Sequence, residues 1–121
     1  MPDENVLVKA AALFNRKLYF ECHDLLEDAW MGARGRERDF LQALIHIAVG
    51  MYHVAAENQK GAVSQLDQGV RALQPFRLDR EGLDVESLLI GAERCLEKLE
   101  NDASPDWTAK DIPKMNYRRL V

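Results

Sequence analysis

The chain reads as all-α: a compact bundle of about five helices built from antiparallel helical hairpins. Three observations carry this. Apolar residues recur at spacings of three and four almost throughout. No segment sustains the period-two alternation, bounded by turn residues, that marks a half-buried strand. Only seven glycines and four prolines interrupt 121 residues, and 47% apolar against 30% charged residues is the balance of a chain that can bury a core. At 13.8 kDa the expectation is one helical domain over residues 1–121, with 103–121 a loosely docked C-terminal tail.

The elements follow in order. A first helix is expected from about Asp3 to Asn15, where Val6, Leu7, Ala10, Leu13 and Phe14 make one stripe. A second spans about Leu18 to Met31 and closes in the Gly32-Ala33-Arg34-Gly35 loop, where glycine can adopt positive φ. The join between them is weakly marked, with Asn15 the best candidate for a left-handed turn residue and one bent helix the alternative. The third helix covers about Arg38 to Asn58. Lys60-Gly61 then turns the chain into a fourth, which stops before Pro75 because the residue preceding proline avoids the α region. Along that fourth helix Val63, Leu66, Val70 and Leu73 should be buried, leaving Gln65, Asp67, Gln68 and Arg71 in water. After a connector from Arg77 to Leu83, Asp84 caps a fifth helix, and Leu83 and Leu88 are spaced as a hydrophobic staple around that cap.

Composition and motif content narrow the function. Sixteen basic against twenty acidic side chains give a net charge of −4, which argues against a protein that works by neutralising many phosphates. Residues Lys110 to Val121 carry a net +3 against −7 for the rest, so the tail opposes the body in sign; a tail lying across the acidic helices with Trp107, Ile112 and Tyr117 as anchors is the plainer account, and contact with an acidic partner the alternative. Cys22 and Cys95 form no framework and read as reduced thiols. The acidic N-terminus lacks a signal-peptide layout and the most apolar stretch is broken by His46 and His53, so a cytoplasmic location without membrane contact is expected. No nucleophile elbow, phosphate loop or paired Cys-x-x-Cys is present.

What remains is a set of polar residues on apolar helices. At about 100° per residue, Tyr19, His23, Glu27 and Trp30 share a sector about 80° wide that the pattern places toward the core. On the third helix Gln42, His46, Gly50, His53 and Glu57 form a second sector of about 80°, a polar stripe on a rod otherwise covered by residues such as Leu41, Leu44, Ile45 and Ala48. Buried imidazole and carboxylate need partners. If the two sectors face each other, they enclose a polar cavity in which His23, Glu27 and His53 are the candidate ligands for a divalent metal (zinc, iron or manganese), with Tyr19, Trp30, Gln42, His46 and Glu57 lining it. Gly50, between the two histidines, would leave room for a ligand, a water or a neighbouring ring. The bland alternative is that His23 pairs with Glu27 or Gln42 to fix helix packing. No enzymatic activity is assigned; the most economical chemistry would be metal-dependent hydrolysis, with His23 as ligand or base and Glu27 as ligand or proton carrier.

The string Phe14-Asn15, then Tyr19-Phe20-Glu21-Cys22-His23-Asp24-Leu25-Leu26-Glu27-Asp28-Ala29-Trp30, resembles the domain of unknown function 309 family. That family's hallmark is a histidine, three residues, a glutamate and, three further on, Trp or Tyr, matched by His23, Glu27 and Trp30. A second block runs from Phe40 to Val49, through Tyr52-His53, to Asn58 and Gly61-Ala62. The resemblance implies a small all-helical bacterial or archaeal protein of unassigned role whose histidine-glutamate motif is suspected of metal binding. The sequence departs from the pattern at Lys17 and Glu57, where the family often has glycine, and at His46, where it often has glutamine. Two functions follow as expectations: a cytosolic helical protein with a metal-binding His/Glu site, or an interaction module of hairpins like those of tetratricopeptide proteins, in which the pair is a packing element. No fixed period of about 34 residues is visible to favour the second. Burial of the third helix against a second subunit, giving a homo-oligomer, is conceivable, and the small ligand is not identified.

Overall fold

The computed structural model describes residues 3–78, 82–102 and 104–117. Five helices make up the fold: α1 (Glu4–Asn15), α2 (Tyr19–Gly32), α3 (Gly35–Ala55), α4 (Gln59–Leu73) and α5 (Val85–Asn101). Short 3-10 turns at Gln74–Phe76 and Ala109–Asp111 complete the secondary structure, and no strand occurs among the described residues. Each helix packs chiefly on its neighbours in the chain: α1 on α2, α2 on α3, α3 on α4 and α4 on α5. The result is a short stack of hairpins. No helix among the described residues is long and apolar enough to cross a membrane.

Capping chemistry sets several boundaries. The Asp3 carboxylate accepts from the Asn5 N–H at 2.8 Å and Asp84 from the Ser87 N–H at 3.1 Å, each satisfying a donor that the first helical turn leaves orphaned. Leu83 and Leu88 are both buried around the second of these caps.

The hairpin turns differ from the sequence expectation. Asn15 is the last helical residue of α1, and the left-handed residue is Lys17, at φ 63°; its counterpart after α3 is Glu57, at φ 58°. Leu18 N–H donates to the Leu13 carbonyl and Lys17 N–H to that of Phe14, and forty positions on Asn58 donates to His53 and Glu57 to Val54. Both pairs of bonds make a Schellman motif, which supplies partners for the last carbonyls of a helix. The α3–α4 turn therefore lies at Ala56–Asn58, ahead of Lys60-Gly61, because Asn58 starts α4 by accepting from the Gly61 N–H at 3.1 Å. Gly61 stays inside the helix, and its missing side chain admits the His53 ring and the Asn58 amide, both 2.9 Å from where a Cβ would stand.

Two further boundaries are set differently: α4 ends at Leu73, before Pro75 as expected, but not for the expected reason. Gly35 has positive φ, 59°, but it opens α3 while Gly32 ends α2. Gln74, ahead of Pro75, keeps α-region angles (φ −51°, ψ −45°), so the chain tightens into a 3-10 turn past α4 in which proline occupies an early position that needs no N–H.

The core runs through all five helices, with Phe14, Leu26, Phe40, Leu41, Leu44, Ile47, Met51, Leu66, Leu73, Leu88 and Leu89 fully enclosed. The segment after α5 folds back onto it. Met115 is buried, while Trp107, Ile112 and Tyr117 pack against the core. The Asn15 amide holds Met115 at both backbone groups, donating to its carbonyl at 2.7 Å and accepting from its N–H at 2.8 Å. Asn15 is thus spent on a long-range clasp. Arg118 and Arg119, half of the tail's basic residues, lie outside the described residues, as does Ala103.

Candidate functional site

On α2 the buried centre is set by Tyr19, Cys22 and Leu26. Burial pushes both thiols, Cys22 and Cys95, up to about 12, which holds them protonated and poorly nucleophilic. His23 lies at the margin of that centre. Its Nε2 meets Glu27 Oε2 at 2.8 Å and its Nδ1 faces Asp24 Oδ1 at 3.5 Å; the His23 side chain is 24% exposed and that of Glu27 50%. A ring already directed at two carboxylates could ligate an ion only by giving up one of those contacts.

The polar stripe of α3 is turned toward α4, where the sequence argument had it facing α2. His46 Nδ1 lies 2.8 Å from Gln65 Oε1 on α4, and its Nε2 is 3.2 Å from Gln42 Nε2. Because an amide nitrogen can only donate and an amide oxygen only accept, the ring carries its proton on Nδ1 and relays between the two helices. Gln65 is consequently half-buried and not in water. Gly50 makes room for Leu66 of α4, whose side chain would stand 2.7 Å from a Cβ. At the end of the stripe Asn58 Nδ2 donates to His53 Nδ1 across 3.2 Å, the amide's orientation being fixed by the bond from Gly61 N–H to its oxygen.

Trp30 is a packing element between α2 and α3. The Arg38 guanidinium stacks on its ring at 3.7 Å and donates to the Ala33 carbonyl at 3.4 Å. Arg36, also in the first turns of α3, likewise lies over Phe76 at 4.6 Å.

The candidate residues are therefore dispersed. Tyr19, His53 and Glu57 border one cavity of about 710 Å³ at the end of the stack where the hairpins turn; His23, Glu27, Trp30, Gln42 and His46 do not. Among the described residues no three His, Cys, Asp or Glu side chains gather closely enough to hold a metal ion. The donor set does not fit that group, and no metal-dependent step is derived. The sequence reading missed the rest of the cavity wall, notably Lys17, Leu99 and Trp107. Trp107 carried a signal, as a tail aromatic expected to dock, but nothing local showed where.

A second feature spans α2 and α3. Phe20 is 53% exposed and lies against Tyr52, 44% exposed, with ring centroids 6.0 Å apart. His23 flanks Phe20 at 5.8 Å and His53 flanks Tyr52 at the same distance. Along α2 the helical spacing puts Asp24, Glu27 and Met31 on the face of Phe20, all exposed.

Fold and site together define a small helical-hairpin protein. Residues 7–65 match the family described as Domain of unknown function (DUF309). It is also 32% identical over 84 residues, 69% of its length, to "Uncharacterized protein YpuF" of Bacillus subtilis (strain 168). The match spans 45% of that relative's length.

Proposed function

We propose that the protein is a non-catalytic interaction module, a short stack of helical hairpins that docks a partner segment on the exposed face of α2 beside Tyr52. The observation that carries this is the contact of two exposed aromatic rings, Phe20 and Tyr52, on neighbouring helices. Large aromatics left in water at a helix seam are costly for a protein with no use for them and are the usual anchors of a binding hot spot. Phe20 and Met31 stand about 16 Å apart along α2, at about 1.5 Å per residue, with Asp24 and Glu27 between them. The complementary partner is an amphipathic segment presenting apolar anchors separated by basic residues. The recurrence of one turn geometry forty residues apart, with sequential helix packing, is the construction of stacked-hairpin proteins and supports the same reading. In this role the His23–Glu27 pair holds the acidic face in place.

The test is selection from a displayed random-peptide library. Enriched peptides should combine aromatic or aliphatic anchors with Lys or Arg, should bind more weakly as salt rises, and should be lost by Phe20→Ala and Tyr52→Ala variants whose thermal melts remain cooperative. Metal analysis runs in parallel. Stoichiometric zinc, iron or manganese accompanied by a rise in Tm, or enriched peptides indifferent to both substitutions, would overturn the proposal.

A further inference from the structure

We propose that the cavity at the turn end of the stack binds a small, largely apolar, uncharged molecule through a hydrogen-bond acceptor that meets the Tyr19 hydroxyl. This site adjoins the docking face through His53, which flanks Tyr52, but neither Phe20 nor Tyr52 lines it, and the inference does not rest on that reading.

The ring of Tyr19 is 4% exposed and seated edge-on against Phe14, with centroids 5.2 Å apart, so its position is fixed. Its hydroxyl finds no hydrogen-bond partner among the described residues, and the residue borders the cavity. The hydroxyl oxygen itself is not enclosed by protein, so it opens onto that space, and whatever displaces water there must complete it. Burial first, then the neighbouring Cys95 and Cys22, push its ionisation up to about 12, which keeps the hydrogen in place at neutral pH and makes the group a donor. The ligand must therefore bring an acceptor.

Lining and charge set the rest. Met51, Val54, Leu99, Trp107 and Ile112 supply apolar wall, and about 710 Å³ is room for a molecule of modest size. Glu57 and Asp106 oppose Lys17 at the border, a balance that disfavours a carboxylate or phosphate ligand. A cation finds Glu57 and Asp106 in the lining but would lose its hydration against Met51, Val54, Leu99, Trp107 and Ile112, which makes benzylamine the stricter of the charged controls. A neutral carbonyl on an aromatic or aliphatic body meets the Tyr19 donor and the apolar part of the lining. The two left-handed residues, Lys17 and Glu57, both border this cavity, so the strained positions of the backbone coincide with it.

The experiment compares three probes of one ring size, acetophenone, benzoate and benzylamine, by amide chemical-shift titration of the full chain. Acetophenone should saturate, moving amides in 53–59 and 104–107, and bind more tightly than either charged probe. Tyr19→Phe should weaken it about five- to tenfold, the worth of one hydrogen bond. If Tyr19→Phe does not fold, Ala55→Trp, which enlarges an exposed residue at the cavity border, should abolish saturation instead. The proposal is overturned if acetophenone fails to saturate, if a charged probe binds more tightly, or if the tested variant binds acetophenone as the parent does. Loss of peptide binding at Phe20 would leave these titrations unchanged, so the two readings fail separately.

Discussion

At the scale of single residues, Lys17 and Glu57 hold the left-handed conformation with side chains that disfavour it. An L-residue there costs roughly 1–2 kcal/mol, and glycine returns part of that gain through the entropy of its unfolded state, roughly 0.5–1 kcal/mol. Lys17→Gly and Glu57→Gly should therefore each raise the stability measured by urea denaturation by about 0.5–1 kcal/mol. The sites stand on separate hairpins, so the double variant should show the sum. The three histidines illustrate the limits of a helical wheel. Each needed partners, as the pattern implied, but the partners came from the next turn of α2 for His23, from α4 for His46 and from the α4 cap for His53. Residue type announces a need for company. Only the packing decides who provides it.

At the scale of elements, the closest approach is between α3 and α4. A Cβ on Gly50 would fall 2.7 Å from the Leu66 side chain and 3.1 Å from its backbone nitrogen; one on Gly69 would fall 2.6 Å from the Ile47 side chain and 3.1 Å from its nitrogen. Each glycine thus accepts a large side chain from the opposite helix, and the backbone behind that side chain limits relief. Overpacking costs roughly 1–3 kcal/mol, against about 1 kcal/mol that alanine gains in helix propensity. Gly50→Ala and Gly69→Ala should each lower the unfolding free energy measured by urea denaturation, by up to about 2 kcal/mol net, reversing the sign expected for alanine in a helix. Helix count, type and most ends were legible in the sequence, because spacings of three and four persist over many residues and the Asp84 cap with its leucine staple is a local signature. The turns were not. Their Schellman bonds are made by backbone alone, and Phe14 to Leu18 shares no residue with Val54 to Asn58. The same invisibility hid the forty-residue recurrence. For the site, the sequence marked Tyr19, His53 and Glu57 but not what gathers them, since the cavity wall also draws on α5 and on the segment after it.

At the scale of the whole molecule, that segment is held to α5 by one carboxylate. Asp111 Oδ2 takes Lys98 Nζ, the Thr108 N–H and the Thr108 hydroxyl, each at 2.9 Å, while Lys98 also approaches the Trp107 ring at 5.4 Å. The Lys98 ammonium first, then the Thr108 donors, hold the carboxyl at about 2, below its ordinary 3.8. A lowered folded value means that the contribution is complete above pH 3.8 and disappears as pH falls toward about 2. Asp111→Asn lacks it at every pH. With Trp30→Phe leaving Trp107 as the reporter, the variant should show looser Trp107 packing than its parent at neutral pH, and the two should converge as pH falls from 3.8 through about 2; a gap as wide at pH 2 as at neutral pH would sink this account. The clasp from Asn15 to Met115 acts on a longer span, joining α1 to a residue 100 positions later. During synthesis α1 to α4 are made before Met115, and they can begin to fold as they emerge. The wall that Trp107 and Ile112 give the cavity is therefore finished last. A nascent chain already has its helical stack but has nowhere yet to lodge a guest.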